Sequence, residues 1–170
     1  MTCIVGLVNK GKVWIGGDSS VSSGNSQYPI TAEKVFRVGE FLMGVAGTIS
    51  TIQELKYVFK PPQYKGGDIT KFMVAKFIPA IKKCLQDILS DDDPFGIVVA
   101  LKNKLFSIDM GFSVCESSTD YDITGCGDDI ARGVLFATPD LSPEKRITLA
   151  LEAAEKFTCF VRKPFLIKKL

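Results

Sequence analysis

The strongest constraint on the fold lies in residues 3–46, which carry two β-hairpin patterns. In each pattern, two short runs of apolar and small residues flank a turn dipeptide, Lys10-Gly11 in the first and Gly39-Glu40 in the second. Alternation of this kind on both sides of a glycine-containing turn is typical of paired antiparallel strands. The predicted strands span residues 3–9, 13–17, 34–38 and 41–46.

The remainder of the chain carries helical and strand patterns in succession. Helices are predicted over residues 49–59, 69–89, 128–137 and 142–156, the second with a kink or break at Pro79. Further strands are predicted over residues 95–101, 106–110, 112–114, 121–123, 157–161 and 165–167. Antiparallel strands clustered with paired helices predict two packed sheets with helices on both outer faces. The predicted class is α+β, a four-layer αββα sandwich in a single domain over residues 1–170.

Composition excludes several partners. The formal net charge is +2, and 24% of the residues are charged, so nothing calls for nucleic acid or an anionic membrane as a partner. The five cysteines stand singly, without a CxxC pair, which argues against a disulfide framework and a metal site. The chain starts without the pattern of a signal peptide, and no apolar run is long enough to span a bilayer. We therefore expect a cytoplasmic protein.

The sequence contains no histidine. Catalysis by Ser-His-Asp or Cys-His groups, and any site built on histidine ligands, is therefore excluded. If the chain activates a nucleophile, the base must be an amine or a carboxylate.

Thr2 offers such chemistry because it directly follows Met1. Methionine aminopeptidases remove Met before small residues, so the mature chain would begin with threonine. Its α-amine, with a pKa of about 8, could accept the proton of its own hydroxyl. A threonine in second position is common, however, and by itself carries no function.

Three further residues stand where they could assist Thr2. Asp18 ends the second predicted strand, where hairpin pairing returns the chain towards residue 2, and Lys34 begins the third. A lysine ammonium near the Thr2 hydroxyl would favour its ionised form. Gly47 lies between a strand and a helix start, where backbone N–H groups suit an oxyanion. Taken singly, Asp18 is better interpreted as a turn residue and Lys34 as a surface charge, and Gly47 has the alternative role of a tight turn.

Together the segments MTCIVGLV, VWIGGDSSVSSGN, AEKV and FLMGVAGT resemble the proteasome β-subunit and HslV family in order and spacing. The resemblance implies an N-terminal-nucleophile threonine protease with Thr2, Asp18, Lys34 and Gly47 in the catalytic roles. The stretch 23–26 is similar to the bacterial HslV type. In a Gly-Ser-Gly element of the family, Cys126 replaces a serine that supports the threonine, and Lys156 stands where an acidic residue is usual.

The same resemblance implies how such a protein works. Substrate backbone would pair with Val21 and Ser22, and Val45 would border a specificity pocket for a mid-sized apolar side chain. Stacked homo-oligomeric rings would degrade unfolded polypeptides delivered by a ring ATPase, without a cofactor. Two alternatives stay open: a non-catalytic assembly subunit that keeps the fold, favoured by Cys126 and Lys156, and a small-molecule amidase with the same type of nucleophile.

Overall fold

A computed structural model describes residues 2–23, 26–90 and 93–170. Two features singled out in the sequence, Met1 and the Gly24-Asn25 centre of the 23–26 stretch, lie outside the described residues. The described part of the chain has a mixed α/β fold with eleven strands and four helices. The strands are β1 Cys3–Asn9, β2 Lys12–Asp18, β3 Ser20–Ser23, β4 Ser26–Pro29, β5 Val35–Val38, β6 Phe41–Ala46, β7 Gly96–Leu101, β8 Lys104–Ile108, β9 Val114–Glu116, β10 Tyr121–Gly125 and β11 Phe165–Lys169.

Both predicted hairpins are confirmed. β1 pairs with β2 antiparallel, with Val8 opposite Val13, and β5 pairs in the same way with β6. The turns have the left-handed backbone that such tight connections require, with φ of 73° at Gly11 and 57° at Gly39. The local pattern of these segments therefore determines their pairing.

The strands form two large sheets and one small one. The first large sheet has the order β10-β1-β2-β11, and the second has the order β5-β6-β7-β8-β9. β3 and β4 form a separate two-stranded ribbon. The predicted strand over 95–101 corresponds to β7, whose six residues are all buried, as expected for a central strand covered on both faces.

Helix α1 covers residues 49–58, with an α-helical part Ile49–Gln53 and a π-helical part Glu54–Val58. Helix α2 covers residues 69–85 and consists of Ile69–Phe72, the π-helical Met73–Phe77, and Ile78–Leu85. The helix does not break at Pro79; the π-helical turn directly before it makes room for a ring that would clash with a carbonyl in α-helical register. Helices α3 and α4 are Asp128–Ala137 and Pro143–Phe157.

Several predicted elements have other bounds in the structure, among them the strands predicted over 106–110 and 112–114, which are β8 Lys104–Ile108 and β9 Val114–Glu116. Residues 86–88 continue α2 only as turns, so the helix is shorter than the predicted 69–89. The predicted strand over 157–161 is wrong, because α4 extends through Phe157 and residues 158–164 form an irregular connection to β11. Val161 is fully buried with the helices α3 and α4, while Cys159 is exposed. The apolar residues of this segment therefore do not share one buried face, as they would in a half-buried strand.

Side-chain alternation divides the core into three clusters. Ile4 belongs to a cluster shared by the two large sheets, whereas its neighbour Val5 packs with α3 and α4. On the second large sheet, Leu42 joins the shared cluster and Met43 packs with α1 and α2. Successive residues of these strands thus belong to different clusters, as expected when side chains alternate between the two faces of a sheet. Among the described residues, no helix combines the length and the apolar character needed to cross a membrane.

The close contact between the sheets yields a stability prediction. A Cβ atom at Gly44 would lie 2.4 Å from Cγ2 of Ile4 and 2.7 Å from Cγ2 of Ile15, so Gly44→Ala should lower the free energy of unfolding by about 1–3 kcal/mol. The matched control is Gly133→Ala, because a Cβ there meets no atom within 4 Å and alanine favours the helix by up to about 1 kcal/mol. Urea unfolding of both variants tests this, and equal effects would contradict the tight inter-sheet packing.

Candidate active site

The sheet register brings the first residues of β1 next to the end of β2. Ile4 lies opposite Gly17, so Asp18 comes beside the chain segment that carries Thr2. Lys34 precedes β5 in the other large sheet, and packing of the two sheets brings its side chain to the same point. All three residues are at most 3% exposed. Residues predicted from separate segments of the sequence therefore form one buried cluster.

The Lys34 ammonium is the centre of this cluster. Its Nζ atom donates to Oγ1 of Thr2 at 2.7 Å and to Oδ2 of Asp18 at 3.0 Å. It also donates to the backbone carbonyl of Ser20 at 2.5 Å. A lysine ammonium has three N–H donors and can serve these acceptors at the same time. The arrangement holds a positive charge within hydrogen-bond distance of the Thr2 hydroxyl.

The Asp18 carboxylate is held by donors on both oxygens. Oδ1 accepts from the backbone N–H of Cys3 at 3.0 Å. Oδ2 accepts from the Lys34 ammonium at 3.0 Å, and from the backbone N–H and the hydroxyl of Ser20 at 3.1 and 2.7 Å. Hydrogen bonds from several donors satisfy a buried carboxylate and fix its orientation. Asp18 thus ties the start of β1 to Lys34.

Burial controls the charge of Lys34. Loss of solvation lowers the pKa of Lys34 below its ordinary value, while the charge of Asp18 and its hydrogen bond act in the opposite direction. Cys126 and Cys3 are the other titratable groups that act on Lys34. The Thr2 hydroxyl therefore faces an amine whose proton is held less tightly than that of a solvated lysine.

The segment before α3 holds the backbone of Thr2. The N–H of Cys126 donates to the Thr2 carbonyl at 2.8 Å, and its Sγ lies 3.3 Å from the same oxygen. Gly125 has φ of 103°, and a Cβ atom there would lie 2.1 Å from the Thr2 carbonyl oxygen. Only glycine permits this approach. Burial raises the pKa of the Cys126 thiol, against the opposing hydrogen bond with Thr2, so the neutral thiol is the form present beside the threonine.

Thr2 opens onto a cavity of about 620 Å³. The ribbon contributes Val21 and Ser22 to its wall, and the junction between β6 and α1 contributes Gly47. At this junction, Thr48 caps α1 by accepting a hydrogen bond from the Thr51 N–H at 3.2 Å. The cavity is lined by Thr2, Val21, Ser22, Ala46, Gly47, Thr48, Ile49, Pro94, Phe95, Gly96, Thr124, Gly125 and Cys126.

Val45 is the predicted site residue that the structure places elsewhere. It is fully buried in the cluster between β6 and the helices α1 and α2, and it does not line the cavity. Ala46 lies on the opposite face of β6 and does line it. Successive side chains of a strand point to opposite faces, so a prediction that is off by one residue assigns a core side chain to the cavity wall.

Sequence reasoning missed Ser20 and most of the cavity wall. Ser20 is fully buried and contacts both Asp18 and Lys34. Its position two residues after Asp18 was an available signal, since a serine there can bond locally to an aspartate side chain. Phe95 and Thr124 come from distant parts of the chain, and no local pattern indicated that they meet.

The raised pKa of the Cys126 thiol predicts how fast the thiol is alkylated at different pH values. Alkylation by iodoacetamide should be slow at pH 7 and faster as the pH rises past the ordinary thiol pKa of 9.0, because burial raises the pKa of Cys126 and only the thiolate reacts. Peptide mapping by mass spectrometry over time measures the rate, with the exposed Cys159 as the reference thiol. Cys126 is exposed like Cys159, so modification at pH 7 as fast as that of Cys159 would contradict the raised pKa of Cys126.

No cluster of three or more metal-ligating side chains occurs within residues 2–23, 26–90 and 93–170.

Neither the protein-family models nor the curated proteins include a match to this sequence. Solved structures, in contrast, give clear matches over the whole chain.

Three solved structures illustrate the likeness. BPH from Thiobacillus denitrificans, in complex with epoxomicin, has a TM-score of 0.83 at 20% identity, covering 99% of this chain and 97% of that one. HslV from Trypanosoma brucei has a TM-score of 0.71 at 17% identity, with 98% of both chains covered. Anbu (ancestral beta-subunit) from Yersinia bercovieri has a TM-score of 0.74 at 12% identity, covering 100% of this chain and 81% of that one. The chain therefore has the fold of these proteins, and the likeness to the proteasome and HslV group predicted from the sequence is confirmed at the level of the fold.

Proposed function

We propose that this chain is a threonine peptidase subunit of a self-compartmentalising, HslV-like protease, which cleaves peptide bonds with Thr2 after removal of Met1. The observation that carries the proposal is the 2.7 Å hydrogen bond from the Lys34 Nζ to the Thr2 Oγ1, inside a buried cluster that borders an open cavity. The sequence has no histidine, so an N-terminal amine is the base that fits this nucleophile.

In the proposed reaction, the free α-amine of Thr2 accepts the hydroxyl proton as Oγ1 attacks the carbonyl carbon of the substrate. The positive charge of Lys34 stabilises the developing alkoxide, and Asp18 keeps Lys34 in place. The backbone N–H of Gly47 faces the oxyanion of the tetrahedral intermediate. When the C–N bond breaks, the Thr2 ammonium returns its proton to the leaving amine, and an ester remains on Thr2. Water, deprotonated by the same amine, then hydrolyses the ester.

The cavity supports a substrate with an apolar side chain. Ala46, Ile49 and Phe95 contribute apolar surface to its wall, and such surface favours burial of an apolar group. Val21 and Ser22 lie on a ribbon strand at the cavity, where an extended peptide could add as a further strand. In the proposal, unfolded polypeptides bind in this way.

The proposed assembly is a stack of homo-oligomeric rings that receives substrates from a ring ATPase in the cytoplasm. Large exposed aromatic side chains support subunit contacts: Tyr57 is 73% exposed, Phe136 78% and Phe157 74%. The four-layer αββα arrangement of the N-terminal-nucleophile hydrolases, in one domain over residues 1–170, is part of the same proposal. The two sheet–helix clusters and the cluster between the sheets support it.

The experiment is the intact mass of the purified protein before and after incubation with epoxomicin, the compound in the Thiobacillus complex. This peptide epoxyketone reacts with a hydroxyl and a free α-amine on the same residue. We expect a mass that lacks Met1 and gains one adduct, mapped to Thr2 by peptide sequencing. Retention of Met1 with no adduct would overturn the proposal.

A non-catalytic assembly subunit is the second candidate function. It is favoured by Cys126, whose thiol is a weaker hydrogen-bond donor to the Thr2 carbonyl than a hydroxyl would be. Lys156, the other departure from the family pattern, is exposed in the last turn of α4. Failure of a fluorogenic peptide panel together with retained Met1 would favour this second function.

A further inference from the structure

Ser20 is the buried polar residue of the site that the proposed reaction does not use. It is fully buried at the start of β3. Its hydroxyl lies 2.7 Å from Oδ2 of Asp18 and 3.3 Å from the carbonyl oxygen of Phe160. The side-chain amide of Gln27, on β4, donates to the same hydroxyl at 3.0 Å. The Ser20 hydroxyl therefore has two acceptors within reach, the Asp18 carboxylate and the Phe160 carbonyl, but only one proton to donate.

The contact with Gln27 fixes where that proton goes. A serine hydroxyl donates one hydrogen bond and accepts others. Since the Gln27 amide donates to Ser20, the Ser20 proton must point to Asp18 or to the Phe160 carbonyl. The carboxylate is both nearer and charged, and charge-assisted hydrogen bonds are the stronger ones. The result is a directed chain of donors, from Gln27 through Ser20 to Asp18.

We infer that Ser20, oriented by Gln27, is a positioning residue that fixes the Asp18 carboxylate beneath Lys34 for the proposed reaction. This inference rests on the proposed function. The same chain connects the catalytic cluster to the β3–β4 ribbon, because Gln27 pairs with Ser22 across the ribbon and Ser22 lines the cavity. Ser20 also accepts from Lys34 through its backbone carbonyl, so one residue holds both members of the ion pair.

The inference has an electrostatic consequence. The Ser20 hydroxyl compensates part of the negative charge on Oδ2 of Asp18, which faces Lys34 at 3.0 Å. Removal of this donor leaves a stronger negative field at Lys34 and so raises the pKa of Lys34. The other groups that act on Lys34 are Cys126 and Cys3, together with the α-amine of Thr2 once Met1 is removed. None of these changes when Ser20 is replaced.

The test compares Ser20→Ala and Gln27→Leu with the wild-type protein. NMR titration of protein carrying ¹³C-labelled lysine follows Lys34, and its signal is identified by its loss in Lys34→Arg. We expect the pKa of Lys34 to rise in Ser20→Ala and, by less, in Gln27→Leu. In peptide cleavage, kcat should fall roughly 10- to 100-fold in Ser20→Ala, the loss of one hydrogen bond to a charged group, and the alkaline limb of the pH profile should move to higher pH.

Controls separate positioning from folding. Gln63→Leu, an exposed glutamine outside the site, should change neither the Lys34 titration nor cleavage. If Ser20→Ala does not fold, Gln27→Leu decides the question, because Gln27 is only part-buried. Folded variants whose Lys34 titration and pH profile match the wild type would overturn the role of Ser20. This result is distinct from failure of the proposed function, which is an absent epoxomicin adduct on the wild-type protein.

Discussion

Thr2→Ala is expected to lower peptide cleavage by more than roughly 1,000-fold, the scale seen when a catalytic nucleophile is removed. Alanine keeps the free α-amine and still permits removal of Met1, so the change deletes only the hydroxyl and one methyl group. The 2.7 Å contact with the Lys34 Nζ is lost with it. Cleavage of a fluorogenic peptide measures the effect, and the epoxomicin adduct should disappear in the same variant.

Two further variants make this result specific. Thr2→Ser retains the hydroxyl and should keep most of the activity, because the proton path from hydroxyl to amine is intact. Cys126→Ala tests the other nucleophile that lines the cavity and should leave the adduct on Thr2. Wild-type activity in Thr2→Ala, combined with its loss in Cys126→Ala, would assign the reaction to the thiol and contradict the proposal.

The sequence contained enough local information to predict the site scaffold. Lys10-Gly11 determined the first hairpin, and its register places Asp18 beside the start of β1. Turn chemistry and alternation act between near neighbours, so they can be read from a single sequence. Local patterns were not enough to predict Lys34 as a site residue, because its side chain reaches Thr2 only when the two sheets pack together. Its prediction came from the family resemblance.

The parts that could not be predicted depend on tertiary packing. Ala46 rather than Val45 lines the cavity because Val45 lies on the face of β6 that packs against the helices. Both faces of β6 are buried, so the sequence pattern does not show which of them meets the helices. Residues 157–161 have the composition of a strand, but Phe157 ends α4 and the chain runs irregularly from residue 158 until β11 pairs with β2. The hydroxyl of Ser20 gains its role from Gln27 and Phe160, which lie on other segments.

Asp18→Ala is expected to have the largest effect on stability. The change leaves the ammonium of Lys34, 3% exposed, without its carboxylate. Loss of one partner from a buried ion pair lowers the free energy of unfolding by about 3–5 kcal/mol. The donors of Cys3 and Ser20 also lose their acceptor. Urea unfolding at pH 7 measures the loss, and cleavage should fall with it because Lys34 is no longer held at Thr2.

The pH dependence of this loss identifies its cause. Burial lowers the pKa of Lys34 below its ordinary value of 10.5, so the unfolded chain binds the Lys34 proton more tightly and stability rises with pH between the folded-state pKa and 10.5. Without Asp18 the main opposing charge is gone, and the folded-state pKa falls further. The stability deficit of Asp18→Ala should therefore shrink as the pH rises.

The double variant Asp18→Ala/Lys34→Met completes the test. Methionine removes the buried charge but keeps much of the side-chain volume, so the double variant should be more stable at pH 7 than Asp18→Ala alone. It should remain inactive, because the cation beside the Thr2 hydroxyl is missing. A deficit that is the same at every pH and in both variants would mean that Asp18 stabilises the fold through its backbone donors alone, and that the charge of Lys34 has little part in it. Recovered stability without recovered cleavage would instead tie the ion pair to the chemistry of Thr2.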